Sequence, residues 1–275
     1  MRVIKLGDRS AEVKKLQKLL HLLDDGIFGK LTQEAVKKWQ KEHNLIADGI
    51  VGQKTWDSLG IKDEEKSTNS TNPKCVDQSV IYSPLTCCIT KLANRTIKYL
   101  AIHYTAGGSS APGRAIGMKS TWEKTKKASA DFGVDDRDMV QFNPDPKNYY
   151  CWSVGDKKNP YSGGGQLYGT AKNSNTISIE ICSSLKSGYG AADANHEGWY
   201  FTEAALANGV KLAKILMKKY NIPIERVVRH YDISGKVCPG IVGWNNSAIY
   251  SKEGKATKNK SNSDKWKEFK ERLKN

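Results

Sequence analysis

The stretch Thr176-Ile177-Ser178-Ile179-Glu180-Ile181-Cys182 alternates without a break. Successive side chains of a strand point to opposite faces, so Ile177, Ile179 and Ile181 share one face and Ser178, Glu180 and Cys182 the other. Such a strand buries its isoleucines and presents a carboxylate on its second face. Outward from it, Ile97-Lys98-Tyr99-Leu100-Ala101-Ile102-His103-Tyr104 reads as a buried strand and Val227-Val228-Arg229-His230 as another. Residues 132–135 and 139–142 flank Asp136-Arg137-Asp138, a hairpin signal. Between 202 and 220, Ala205, Leu206, Val210, Ala213, Leu216 and Met217 keep helical spacing, and Pro223 stops the run. Strands alternating with helices predict an α/β body with a central mixed sheet flanked by helices.

Five histidines are present. His21 and His43 fall on helix surface, and His196 in the Gly/Asp/Asn-rich loop 188–198 reads as another surface residue. His103 closes one strand. His230 opens the segment Arg229-His230-Tyr231-Asp232-Ile233-Ser234-Gly235-Lys236-Val237-Cys238-Pro239-Gly240. Two histidines and a cysteine form a permitted catalytic zinc set that keeps a fourth position for water. His230 and Cys238 can converge around the Ser-Gly turn, with His103 arriving from a distant strand end. Spacing alone leaves the alternative open that each is a packed or surface residue.

The run 61–74 carries almost no apolar side chain and reads as a linker between a small module, 1–60, and a body, 75–250. In the small module Asp25-Gly26-Ile27-Phe28-Gly29-Lys30-Leu31-Thr32 recurs as Asp48-Gly49-Ile50-Val51-Gly52-Gln53-Lys54-Thr55. Each copy predicts a turn followed by a helix that the threonine caps. Val13, Leu16, Leu19, Leu20 and Leu23, then Ala35, Val36, Trp39, Gln40 and His43, give two helical stripes, so three short helices are expected. Residues 251–275 form a basic tail in which Trp266, Phe269 and Leu273 share one side of a short helix.

The string from Leu6-Gly7 through Val13, Leu16-Gln17, Asp25-Gly26, Gly29, Thr32, Ala35-Val36, Trp39-Gln40, Asp48-Gly49, Gly52 and Thr55-Trp56 closely resembles the peptidoglycan-binding domain of bacterial and phage wall hydrolases. That resemblance implies wall binding, with Asp25, Gly26, Gly29, Trp39, Asp48, Gly49 and Gly52 as candidate contacts. In the body, Ile102-His103-Tyr104-Thr105, then Asn175 to Glu180, then Arg229 to Gly240 resemble the three signature segments of zinc-dependent N-acetylmuramoyl-L-alanine amidases. The resemblance implies one zinc ion on His103, His230 and Cys238, with Lys236 and Glu180 as catalytic residues. A tyrosine that the phage lysozyme-type members place near Ser129-Ala130-Asp131-Phe132 is absent, which favours the Glu-dependent variant and leaves the role of Asp131 open. Two neutral imidazoles and one thiolate would leave the zinc net positive, able to acidify a water toward a pKa of ~7. Tyr104, Asp131, Trp152, Trp199 and Trp244 are candidate substrate contacts, with core packing as the alternative for the aromatics.

Composition bounds the rest. The 275 residues are 38% hydrophobic, enough for a packed core, and no apolar run is long enough to span a membrane. Lys and Arg number 44 against 29 Asp and Glu, a net charge of +15 that favours polyanions. No recognised nucleic-acid motif accompanies the charge; the resemblance implies bacterial peptidoglycan as the partner, with anionic wall polymers drawn to the basic surface, and a monomer is expected. The start lacks an apolar leader, so a protein made in the cytoplasm and released by a holin-like pore or lysis is expected. Two rivals remain at this level: Cys238 as the nucleophile of a wall peptidase, and a recognition protein that binds muropeptides without cutting them.

Overall fold

In the N-terminal unit, Gln17 and Gln40 close two loops with the same set of bonds. The computed structural model describes residues 3–60, 75–155, 157–190, 193–251, 255–260 and 262–274. The chain divides into two compact units, residues 1–70 and 71–275; the expected linker 61–74 lies outside the described residues. Helices α1 (Ala11–Leu19), α2 (Lys30–Glu42) and α3 (Gln53–Ser58) enclose Ile4, Val13, Leu16, Phe28, Val36, Val51 and Trp56. Gln17 Nε2 donates to Asp25 Oδ1 at 2.8 Å, Ile27 O at 3.0 Å and Thr32 Oγ1 at 3.2 Å, while Gly26 N–H donates to Gln17 Oε1. Gln40 Nε2 repeats this on Asp48 at 3.1 Å, Ile50 O at 2.8 Å and Thr55 at 3.1 Å, with Gly49 N–H on Gln40 Oε1. Gly26 and Gly49 sit at φ +77° and +74°, where a side chain would be strained.

Two expectations change here, the helix caps and Leu23. The helix caps are Gly29 and Gly52, not the threonines, whose hydroxyls are buried under the glutamines. Asp25, Gly26, Asp48 and Gly49 bond within their own loops, with both aspartates exposed beside those bonds. Leu23 lies beyond the end of α1 and is 82% exposed.

The second unit is built on a six-stranded sheet. In chain order come β1 (Ile81–Tyr82), β2 (Ile89–Lys91), β3 (Tyr99–Tyr104), α4 (Arg114–Thr125), β4 (Phe132–Val134), β5 (Met139–Gln141) and β6 (Tyr149–Cys151). Then follow β7 (Thr176–Ile181), β8 (Ser184–Leu185), β9 (Trp199–Tyr200), α5 (Glu203–Tyr220), β10 (Val227–Arg229), α6 (His230–Ser234), β11 (Ala248–Tyr250), β12 (Ala256–Lys260) and α7 (Asp264–Lys274). The sheet order is β1-β5-β4-β7-β3-β10. Strands β4, β7, β3 and β10 run parallel; β5 turns back along β4 as the hairpin signal predicts, and β1 follows β5. The pairs β2/β6, β8/β9 and β11/β12 stand apart as antiparallel ribbons.

The isoleucine face of β7 packs under α5. Thr202 caps that helix by accepting from Ala205 N–H, and Gly209 lets it approach, since a Cβ there would lie 2.7 Å from Ile181 Cδ1. Residues 251–275, expected as a basic tail, contribute α7 to this same core: Trp266, Phe269 and Leu273 are buried with Trp244 and the α5 leucines. Removing an apolar stripe of three large side chains from water outweighs the exposed lysines around it.

The other face of β7 carries a buried ion pair. Asp131 takes the Ser178 N–H at 2.9 Å and hydroxyl at 2.8 Å, and Asn143 Nδ2 at 2.5 Å. Arg95 Nη2 stands 3.5 Å from Asp131 Oδ1, both side chains being 0% exposed, and its other nitrogens reach the carbonyls of Pro146, Asn173 and Thr176. Asp131 is therefore a fold residue, which corrects its place among the substrate contacts. Arg95→Met should cost about 3–5 kcal/mol in urea unfolding, because it strands a buried carboxylate. A loss under about 1 kcal/mol would mean that the pair is not sealed from water.

Candidate active site

Register places the chemistry. In the parallel pairing of β3 with β7, His103 lies opposite Glu180. Across the other edge of β3, Arg229 of β10 pairs with Ile102, so the next residue, His230, arrives beside His103. The two imidazole centroids are 4.7 Å apart at 60°. Three strand ends thus deliver two histidines and one carboxylate to a single point.

Cys238 is brought there by a short return of the chain. Helix α6 stops at Gly235, φ +79°, where a Cβ would lie 2.6 Å from Asn159 O. Cys238 N–H then donates to Lys236 O at 2.7 Å, and Tyr231 N–H donates to Cys238 O at 2.9 Å, which ties the thiol back to the helix. Asp232 steadies the start of the helix by accepting from Arg229 N–H at 2.8 Å and Nε at 2.9 Å. It takes no place among the ligand atoms.

Ligand atoms of His103, His230 and Cys238 all lie within 4.8 Å of one another, and the three side chains are buried. Cys238 Sγ and His103 Nδ1 are 3.6 Å apart. Two ligands of a tetrahedral zinc, at bond lengths of ~2.05 Å to nitrogen and ~2.3 Å to sulfur, would stand roughly 3.6 Å apart. The donor set and this edge both fit zinc.

Glu180 borders the cluster, its Oε1 3.9 Å from His103 Nδ1 and its Oε2 buried with no hydrogen-bond partner among the described residues. Burial pushes its carboxyl up to about 8 even though the Lys236 ammonium pulls in the opposite direction. Lys236 itself is exposed on the turn. Tyr104 is half-buried next to Glu180, with its phenol pushed up by burial and then by the charges of Cys238 and Glu180. A groove of about 380 Å³ opens from Tyr104 and Glu180 and runs along α4.

Other candidates fall elsewhere. Trp244 is buried against Phe201, Trp266 and Phe269, and Trp199 is buried edge-on behind Tyr104 at 5.8 Å, so both are core and not substrate walls. Trp152 is 40% exposed, but its indole N–H donates to Thr90 Oγ1 and it lies off the groove. Trp39 stacks on His43 at 3.9 Å and donates to Ser58 Oγ, within the N-terminal unit. His196, expected at the surface, is fully buried, its Nδ1 accepting from Gly198 N–H at 3.0 Å. The groove face of α4 carries little signal in the sequence, because Met118 and Trp122 are its apolar residues and make too sparse a stripe to announce it.

The N-acetylmuramoyl-L-alanine amidase family pattern matches residues 93–241, and a peptidoglycan binding domain pattern matches residues 9–59. Among curated relatives, the N-acetylmuramoyl-L-alanine amidase CwlA of Bacillus subtilis is 32% identical over 142 residues, 52% of this chain and 43% of CwlA. CwlH of the same organism, another N-acetylmuramoyl-L-alanine amidase, is 33% identical over 141 residues, 51% of this chain and 46% of CwlH. The chain thus spans under half the length of these relatives. Among solved structures, the catalytic domain of XlyA covers 70% of this chain and 98% of its own length, with 25% identity and a TM-score of 0.45.

Proposed function

This chain belongs to the N-acetylmuramoyl-L-alanine amidase family, and from that premise we propose that it hydrolyses the amide joining the lactyl group of N-acetylmuramic acid to L-alanine of the stem peptide. The observation that carries the reading is the meeting of two imidazoles and a thiol, within 4.8 Å, beside a buried carboxylate. His103, His230 and Cys238 would hold one zinc ion, which when bound supplies a Lewis acid for the carbonyl and for water. Glu180 accepts the proton of the attacking water on a carboxylate oxygen and returns it to the leaving nitrogen. Burial, even against the pull of the Lys236 ammonium, makes Glu180 too avid for that proton at neutral pH. Lys236 already limits that rise, and the positive charge of an ion held at the cluster would draw the pKa further toward the working range. The same ammonium would stabilise the negative charge that gathers on the carbonyl oxygen.

The N-terminal unit would hold the protein on the glycan-peptide mesh, and the net charge of +15 would favour anionic wall polymers. The role is that of an endolysin or autolysin. No helix among the described residues is long and apolar enough to cross a membrane. Purified sacculi incubated with the full chain should gain free amino termini on alanine and no new reducing sugar ends. Chelation should stop the release and zinc restore it, whereas a Cys238 nucleophile would be insensitive to the chelator. Absence of new alanine termini would overturn the reading in favour of a binding protein.

A further inference from the structure

The groove beside Glu180 has two unlike ends. At one end stand Tyr104 and Glu180; along its length runs one side of α4. Residues 113, 117 and 121, and 114, 118 and 122, face it in successive turns, as positions four apart on a helix must. A Cβ added to Gly113 or Gly117 would meet nothing within 4 Å, so it would project into open space. Gly117 leaves its stretch of the groove wall open, while Gly113, at φ +89°, also serves the turn into α4. The volume of the groove falls within the ~300–1,000 Å³ of small-ligand sites.

Arg114 and Glu180 are the two charged side chains on the groove lining. The Arg114 guanidinium is exposed and donates through Nη2 to Gly107 O at 3.3 Å, with no carboxylate within ion-pair distance among the described residues. Asp135, at the same end of α4, has its oxygens engaged by the N–H groups of Ala115, Arg137 and Asp138. Beyond Arg114 the lining turns apolar at Met118 and Trp122.

The two halves of the substrate differ in chemistry. The glycan side offers hydroxyl and acetamido groups, all neutral. The peptide side offers an alanine methyl and then a glutamyl residue linked through its side chain, whose main-chain carboxyl is either free or amidated. A groove with apolar patches and one unneutralised guanidinium complements the second description, and a planar guanidinium binds a carboxylate through two parallel bonds. Two residues of extended chain span about 7 Å, and the groove begins at Glu180, whose Oε1 lies 3.9 Å from His103 Nδ1. We propose that the α4 groove takes the peptide half and that Arg114 selects stem peptides bearing a free carboxylate on the second residue over amidated ones. The inference rests on the amidase reading for the identity of the substrate, and on the groove alone for its charge.

The test uses two probes on the full chain: the tripeptide L-alanyl-γ-D-glutamyl-L-lysine and its D-isoglutaminyl counterpart, in binding titrations, with sacculi of each kind for turnover. Wild type should bind and cleave the free-acid form about tenfold better in Kd and KM, and Arg114→Gln should erase that difference with kcat little changed. Gly117→Leu should weaken both probes about tenfold while leaving the melting temperature unchanged or raised, since leucine favours a helix where glycine does not. Equal loss of both probes in Arg114→Gln, or no preference in wild type, would overturn the inference. Selective peptide binding without cleavage of any sacculus would keep it and overturn the amidase reading instead.

Discussion

Glu180→Gln should leave a folded protein with its metal cluster intact that releases alanine termini about 10²–10⁴-fold more slowly than wild type. Glutamine keeps the shape of the side chain but can neither take nor return a proton. The same substitution should make the metal-stripped protein more stable. The folded carboxyl is raised from 4.5 to about 8, so its stabilising balance is complete below about 4.5 and is lost as pH rises through about 8, where the buried group must carry charge. The side chain is 19% exposed, which tempers the cost, and a gain on the order of 3 kcal/mol is expected in the variant above pH 8.5, vanishing near pH 4. Urea titrations at the two pH values measure it. A gap independent of pH would show that burial of charge is not its cause, and turnover within about threefold of wild type would remove Glu180 from the reaction.

Much of the site is legible in the chain because period-two patterning is hard to mistake. The alternation from Thr176 to Cys182 assigns Ile179 inward and Glu180 to the opposite face, which is where both lie. What the pattern lacks is register. That His103 stands opposite Glu180, and His230 next to His103, follows from strand pairings between segments distant along the chain, and no local propensity encodes those. Composition misleads at His196: its glycine- and asparagine-rich surroundings read as surface, yet the loop bridges to Tyr250 and closes over the ring. Trp199 and Trp244 read equally well as sugar platforms or core, since an indole serves both; their neighbours Tyr104, Trp266 and Phe269 decide for core. Asp131 escapes because its partner Arg95 sits in a segment with no regular structure. The α4 groove escapes because its helix wall carries a sparse apolar stripe, with Gly113 and Gly117 contributing no side chain to it.

Cys238→Ser should have the other large effect. A serine hydroxyl stays protonated where a thiolate would bind, so the cluster loses its one anionic donor. Zinc content should drop from one ion per chain to a small fraction, and release of alanine termini should fall at least about 100-fold. An ion that binds the folded state alone stabilises it, so chelation should also lower the melting temperature of wild type and leave that of the variant unmoved. The most direct measurement is X-ray absorption at the zinc edge on the full-length protein. Two nitrogen scatterers at ~2.0–2.1 Å and one sulfur at ~2.3 Å, with the sulfur lost in Cys238→Ser, are the expected first shell. A protein that retains no zinc, or a shell without sulfur in wild type, would contradict the account.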